Sequence, residues 1–326
     1  MRILLTGGCG FIGSHTAVEL IHQGHTVIIV DSLVNSDISV IDKIHEITGT
    51  QPIFYDQDIT QSLDNVFESH SIDAVIHFAA YKAVGESVQY PLKYYRNNIL
   101  GLVNLLESVI RYKTKNFIFS SSATVYGNPS SLPLVESSPL KCLNPYGRTK
   151  LMGEEIIRDV MVSNPDLNVT ILRYFNPVGA HESGLIGEQP RGVPNNLFPY
   201  ILDVIKGIRP HLNIYGTDYE TVDGTGVRDY IHVTDLALGH VAALDNMDDL
   251  KIYNLGTGKG HSVLEIVNMF DKMGKNIEIM KTHRREGDAP EVYADCSLAE
   301  QELGWKATRD LETMVRDSLR YVDFDM

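Results

Sequence analysis

The segment Thr6-Gly7-Gly8-Cys9-Gly10-Phe11-Ile12-Gly13 constrains this chain more than any other stretch. It leaves an apolar run at residues 2–6 that reads as a buried strand. It opens a helical pattern over 11–23 with Ile12, Ala17, Leu20 and Ile21 on its apolar face. Glycines spaced G-x-x-G-x-x-G between strand and helix allow a tight turn and close backbone approach. The helix N-terminus then points N–H groups at an anion. A dinucleotide pyrophosphate fits, with Gly7, Gly10, Phe11, Ile12 and Gly13 around it. A second strand, 26–30, ends at Asp31, whose carboxylate can accept from ribose hydroxyls and would repel a 2′-phosphate. NAD is favoured over NADP on that ground. The alternative, a glycine-rich turn beside a solvent-exposed aspartate, needs no ligand.

Further strands are expected at 52–55, 73–78, 116–120 and 169–173, with helical stretches at 38–48, 63–70, 94–112 and 146–163. Parallel neighbours need crossover connections, so this alternation predicts an α/β fold: a Rossmann-type doubly wound parallel sheet. After Asn176-Pro177 the texture changes. Residues 183–194 and 217–226 are rich in Gly, Pro, Asp and Thr and weakly periodic. Residues 1–176 are therefore assigned to a dinucleotide-binding domain, with some later segments returning to it. Residues 177–326 are assigned to a smaller mixed α/β substrate domain.

The formal net charge of -14 over 326 residues argues against nucleic acid as the main partner. A phosphate-ester ligand would need local arginines to overcome that field. Cys9, Cys142 and Cys296 are scattered, without a disulfide framework or zinc spacing, which fits a reducing compartment. The glycines of the first loop cut the opening apolar run too short for a signal peptide, and no stretch approaches the ~20 apolar residues that span a bilayer. A cytoplasmic protein without a membrane partner is expected. His77, His181, His232 and His240 show no ligand spacing, so no metal is expected.

Two segments carry candidate chemistry, Ser120-Ser121-Ser122-Ala123-Thr124-Val125-Tyr126-Gly127 and Asn144-Pro145-Tyr146-Gly147-Arg148-Thr149-Lys150. Tyr146 and Lys150 are four apart on a helix that Pro145 helps to start, so they share a face. A cation near a phenol lowers a pKa that begins near ~10 and equips the tyrosine as a base. Ser122, at the end of a parallel strand, can hydrogen-bond the same substrate oxygen. Alone, Y-x-x-x-K is most simply a surface pair; order and distance from the glycine loop give it weight.

The glycine spacing and this serine, tyrosine and lysine resemble the extended short-chain dehydrogenase/reductase family. Within it, TGGCGFIGSHT, HFAAYKAVGESV, FSSSATVYG, LRYFNPVGAH, PNNLFPY, DGTGVRDYIHV, YNLGTG and RREGD resemble the UDP-glucose 4-epimerases over essentially the whole chain. The resemblance implies catalysis by Ser122, Tyr146 and Lys150. It implies further NAD contacts from Asn35, Asp58, Ile59, Phe78, Ala79, Ala80, Lys82, Asn97 and Tyr174. For a UDP-hexose it implies Lys82, Asn176, Asn196, Leu197, Asn213 and Tyr215. Arg228 and Arg285 would clamp the diphosphate, and Asp288 would bind the uridine ribose. Guanidinium forks supply the local positive charge that an acidic chain needs. A surface ion pair is the alternative for each arginine, and Arg284 is read as one.

The implied reaction is reversible epimerisation at C4. Tyr146 removes the 4-hydroxyl proton as hydride passes to NAD, and the transient 4-keto sugar turns before hydride returns to its other face. NAD would stay bound throughout. The related 4,6-dehydratases need an acid/base pair after the catalytic Ser/Thr, but Ala123-Thr124 follows Ser122 here. Val292 replaces a bulky tyrosine of several relatives, which predicts room for a 2-acetamido group and activity on UDP-GlcNAc/UDP-GalNAc. The family's dimer bundle implies a homodimer through helices near 94–112 and 146–163, although from sequence both could be core helices. Another NDP-sugar epimerase or reductase, or a catalytically silent NAD-binding regulator, stays open as an alternative. The silent regulator predicts loss of Ser122, Tyr146 or Lys150, and all three are present.

Overall fold

The computed structural model describes residues 1–285 and 288–325; Glu286 and Gly287 of the RREGD motif lie outside the described residues. In chain order the strands are β1 (Arg2–Thr6), β2 (Thr26–Asp31), β3 (Ile53–Asp56), β4 (Ala74–His77), β5 (Asn116–Ser122) and β6 (Asn168–Tyr174). Then come β7 (Asn176–Val178), β8 (Leu212–Tyr215), β9 (Val227–His232), β10 (Leu250–Leu255), β11 (Gly260–Ser262), β12 (Ile279–Thr282) and β13 (Glu291–Val292).

A seven-stranded parallel sheet runs in the order β10-β6-β5-β4-β1-β2-β3. Alternate side chains of each strand enter opposite cores, as a sheet covered on both faces requires. Ile3, Leu5, Ile29 and Ile76 pack with Ala17, Leu20 and Ile21 of the Phe11–His22 helix and with Leu236 and Leu244 of the Val233–Asp245 helix. Leu4, Ile28, Val75 and Phe117 pack on the other face with Leu102, Leu105 and Val109 of the Gly101–Arg111 helix and with Ile157. Each such aliphatic side chain contributes about 1.5–3 kcal/mol on burial. The doubly wound parallel sheet expected from the sequence is therefore present.

Two features go beyond the periodicity. The seventh strand, β10, comes from the second half of the chain and pairs with β6. The stretch expected as one helix over 94–112 is instead Pro91–Tyr94, a π-turn at Tyr95–Leu100, and then Gly101–Arg111. Inside the π-turn, Asn98 accepts from the Tyr81 N–H (2.9 Å) and donates to the Tyr81 carbonyl (3.1 Å) and the Thr149 hydroxyl (3.0 Å). These bonds tie the turn to the loop after β4 and to the Pro145–Ser163 helix. Such a turn depends on tertiary bonds like those of Asn98, which a pattern of hydrophobic residues does not reveal.

In the second half, β9 is flanked by β7, β11 and β13, while β8 and β12 form a separate parallel pair. Phe198, Ile201, Leu212, Ile214, Ile266, Phe270 and Val315 form their core. No helix among the described residues is long and apolar enough to cross a membrane.

Candidate active site

The winding of the large sheet reverses between β1 and β4, which opens a crevice at the strands' C-terminal ends. Gly7 leaves β1 with φ +74°, donates to the Val30 carbonyl (2.8 Å), and lies so close to the Ala79 backbone that a Cβ would come within 2.7 Å of its nitrogen. A side chain there would be strained and would clash. Gly13 backs onto the Gly7 carbonyl with equally little room. Gly10 caps the Phe11–His22 helix without a side-chain acceptor, and no acidic residue occupies the first turn. The amides of Phe11 and Ile12 are thus free of side-chain caps, as an anion site requires.

Asp31 is buried at the end of β2. It accepts from Cys9 N–H (3.0 Å), Leu33 N–H (3.0 Å) and the Ser36 hydroxyl (2.8 Å). A carboxylate offers about four acceptor sites, so one remains for a ribose hydroxyl. Phe78 and Ala79 both donate to the Thr6 carbonyl, which draws the 78–80 segment, with half-buried Ala80, alongside Gly7. Asp58 accepts from Thr60 N–H, Ile59 is buried against Gly101, and Asn97 donates to Asn98 within the π-turn. Asn35 is exposed, and its side-chain oxygen accepts from Arg191 N–H (3.2 Å). Glycine turn, uncapped helix end and partly open carboxylate together fit a dinucleotide.

Ser122 ends β5. Asn144 caps the next helix through Gly147 N–H (2.8 Å), and Pro145 begins it, which fixes where Tyr146 and Lys150 emerge. The Ser122 hydroxyl oxygen accepts from both Thr124 N–H (3.2 Å) and the Thr124 hydroxyl (3.0 Å). Its own proton is thereby left for another oxygen. Burial raises the Tyr146 pKa above the ordinary phenol value, while a hydrogen bond from Ser122 and the charge of Lys82 pull it back.

Lys82 thus adds a second cation to the surroundings of Tyr146, while Lys150 stands one turn further along the same helix. Lys150 is buried, donates to the Ser120 carbonyl (2.6 Å), and has its pKa pushed down to about 7 by loss of solvent. Tyr174 is buried and hydrogen-bonded to His240. Its hydroxyl is committed to the fold, so only the rest of the residue is left for a cofactor.

The other candidates gather around β8, β9, β12 and β13. Arg285, just after β12, stacks on Tyr215 with its guanidinium 3.8 Å from the ring centroid. Arg228 lies 3.9 Å from Asp288 and pairs in register with Val292. Asn213 has a buried side-chain oxygen with no partner among the described residues, an acceptor awaiting a donor. Val292 packs with Ala123, beside Ser122, onto a cluster containing Val125, Tyr126 and Phe175, which joins this region to the β5 end. Asn176 is exposed on β7, and Leu197 begins the Leu197–Ile205 helix that Asn196 precedes. Arg284 pairs with Asp218 (2.8 Å), as the sequence suggests. Sequence reasoning misses Glu188, which accepts from both Lys82 and Asn196 (2.7 Å each). One carboxylate in a Gly- and Pro-rich loop gives no periodic signal.

A phenol beside a dinucleotide crevice, on the helix that also carries a buried lysine, is the arrangement of the extended short-chain dehydrogenases/reductases. The profile of the family described as GDP-mannose 4,6 dehydratase matches residues 4–318. UDP-glucose 4-epimerase 2 of Arabidopsis thaliana is 54% identical over 97% of this chain and 93% of its own. The UDP-glucose 4-epimerase structure from Stenotrophomonas maltophila, with bound NAD and formylated UDP-arabinopyranose, superposes with a TM-score of 0.97 at 49% identity, covering 100% of this chain and 98% of that one. The Bifidobacterium longum UDP-glucose 4-epimerase in complex with NAD+ and UDP gives a TM-score of 0.97 at 48% identity, covering 100% and 99%. The chain belongs to the UDP-glucose 4-epimerase family.

Proposed function

We propose that this protein interconverts UDP-glucose and UDP-galactose by epimerisation at C4, with NAD retained through turnover. The observation that carries this reading is the meeting of Ser122, at the end of β5, with Tyr146 and Lys150 on the helix that Asn144 caps, beside a dinucleotide cradle. NAD, when bound, supplies the acceptor and later the donor of the C4 hydride. Ser122 and Tyr146 orient the 4-hydroxyl, and Tyr146 takes its proton and returns it after the sugar has turned. Lys150, one turn along the same helix, stabilises the phenolate together with Lys82, and Asn97 serves the cofactor. Arg228, Arg285, Tyr215, Asn213 and Asp288 hold the nucleotide, with Asn176, Asn196 and Leu197 at the sugar. Firm grip on the nucleotide and a lighter one on the sugar make the turn feasible. Dehydration is disfavoured, because Ala123 has no acid group and the Thr124 hydroxyl is committed to Ser122.

We place the cofactor in residues 1–176 together with the returning β10 and the Val233–Asp245 helix, and the sugar nucleotide in the rest of 177–326. Val88, Tyr90, Leu92 and Leu100 are exposed apolar side chains, Leu92 at 78%, around the π-turn. They fit a homodimer surface. Three unpaired thiols fit a reducing cytoplasm.

The test has two parts. Acid-precipitated protein should release NAD in a one-to-one ratio, and UDP-galactose should be converted without added cofactor. Tyr146→Phe should reduce turnover ~100-fold or more. Absence of both conversion and bound NAD sinks the reading.

A further inference from the structure

Glu188 joins two residues far apart in sequence. Its Oε1 accepts from the Lys82 ammonium and from the Asn196 amide, each at 2.7 Å. The side chain is only 8% exposed, and Oε2 is buried without a partner among the described residues. A buried carboxylate oxygen lacking a donor opposes folding, so stability does not account for a charge here. Its two partners do.

We propose that Glu188 is a positioning residue for the sugar end of the site, acting through Lys82 and Asn196. This rests on the epimerase reading above. A carboxylate accepts and cannot donate, so the Asn196 Nδ2 must face Glu188. The Asn196 Oδ1 is then turned away and presented as an acceptor for a sugar hydroxyl. On the other side, the Lys82 ammonium sits on an exposed side chain and is fixed in position by its 2.7 Å contact with the buried Glu188 carboxylate. That ammonium is therefore held in place on the Tyr146 side of the cleft. Because Lys82 follows β4 and Asn196 precedes the Leu197–Ile205 helix, the same carboxylate sets the distance between the two sides of the cleft.

Glu188→Gln and Glu188→Ala are compared with wild type as NAD-loaded protein. Readouts are the Kd for UDP, the Kd and KM for UDP-galactose, and kcat. Glu188→Gln keeps the shape but can donate to Asn196, so the amide is free to flip. Both variants should leave the Kd for UDP within about twofold of wild type and weaken the UDP-galactose Kd and kcat/KM ~10- to 100-fold. In an Asn196→Ala background the Glu188→Gln penalty should shrink severalfold, since its target is gone. A merely structural role predicts equal losses for UDP and UDP-galactose and additive effects in the double variant. Either that pattern or wild-type constants in Glu188→Gln overturns the proposal. Wild-type protein that binds but does not convert UDP-galactose would instead count against the epimerase reading, with the Kd comparison still deciding on Glu188.

Discussion

Arg173 Nη2 and Glu154 Oε2 lie 2.7 Å apart with both side chains 1% exposed, one helical turn beyond Lys150. The Arg173 Nε also donates to Glu154 Oε1 (3.0 Å), which accepts from the Ser121 hydroxyl as well (2.6 Å). Arg173 reaches on to the Tyr126 hydroxyl, which donates to Asn254. The network joins the helix of Tyr146 to the two strands ending at Ser122 and Tyr174. Breaking it from one side leaves a buried, unpaired guanidinium. Glu154→Gln should therefore cost about 3–5 kcal/mol, read as a lower urea midpoint at an unchanged m-value. The Glu154→Leu/Arg173→Met pair should lose less than the sum of its single variants. Strict additivity in that cycle would count against the pair acting as a unit.

The helix around His240 makes a prediction about pH. His240 Nδ1 lies 2.8 Å from the Leu236 carbonyl, which can only accept, so Nδ1 carries the proton and Nε2 accepts from Tyr174. Burial pushes the His240 pKa down to about 4 from an ordinary 6.5. As pH falls below 6.5 the unfolded chain takes up this proton and the fold does not. Stability is thus intact above 6.5 and is lost on the way down to about 4, by at most about 1.4 kcal/mol per pH unit. His240→Gln should show a shallower dependence of urea midpoint on pH between 6.5 and 4.5 than wild type. Identical slopes would mean that His240 charges freely in the fold.

What the sequence shows and hides has a physical division. Gly7 and Gly13 are legible because the close approach of neighbouring backbone excludes a side chain, and Tyr146 and Lys150 because helical spacing puts them on one face. The alternating cores are legible in residues such as Ile3, Leu4 and Leu5, since each sheet face leaves its own period. The approach of Lys82 to this region is not legible: it arrives through a loop held by Asn98 and Glu188, and neither bond has a local pattern. The same holds for β10, an apolar run whose partner β6 lies far back in the chain. Resemblance supplies residue identities for Arg228, Asp288 and Asn213, and their grouping comes from strand pairing that spacing does not encode.

Arg285 and Arg228 divide the nucleotide's charge between them in this reading. Arg285 is braced by the Tyr215 ring, and Arg228 by its bonds to the Val227 carbonyl (2.8 Å) and its approach to Asp288. Either change to Ala should weaken UDP binding ~10- to 100-fold and raise KM for UDP-galactose more than it lowers kcat. Titration calorimetry with UDP on NAD-loaded protein checks this. Arg284→Ala, which removes the Asp218 contacts and the stacking over Tyr219, should leave the UDP affinity unchanged.

Val292 sits opposite Arg228 in the β9–β13 pairing, and its packing against the Val125–Tyr126–Phe175 cluster places its branched side chain next to the end of β5. A tyrosine at this position would extend several ångströms beyond valine from the same backbone, because the strand pairing fixes where its Cβ starts. The space it would take is the space proposed for a 2-acetamido group. Val292→Tyr should therefore abolish conversion of UDP-GalNAc while leaving that of UDP-galactose within about threefold, since overpacking falls only on the bulkier ligand. Parallel kcat/KM measurements on the two substrates give the answer. Equal losses on both would assign Val292 to packing alone, and wild-type protein inactive on UDP-GalNAc would remove the selectivity claim altogether.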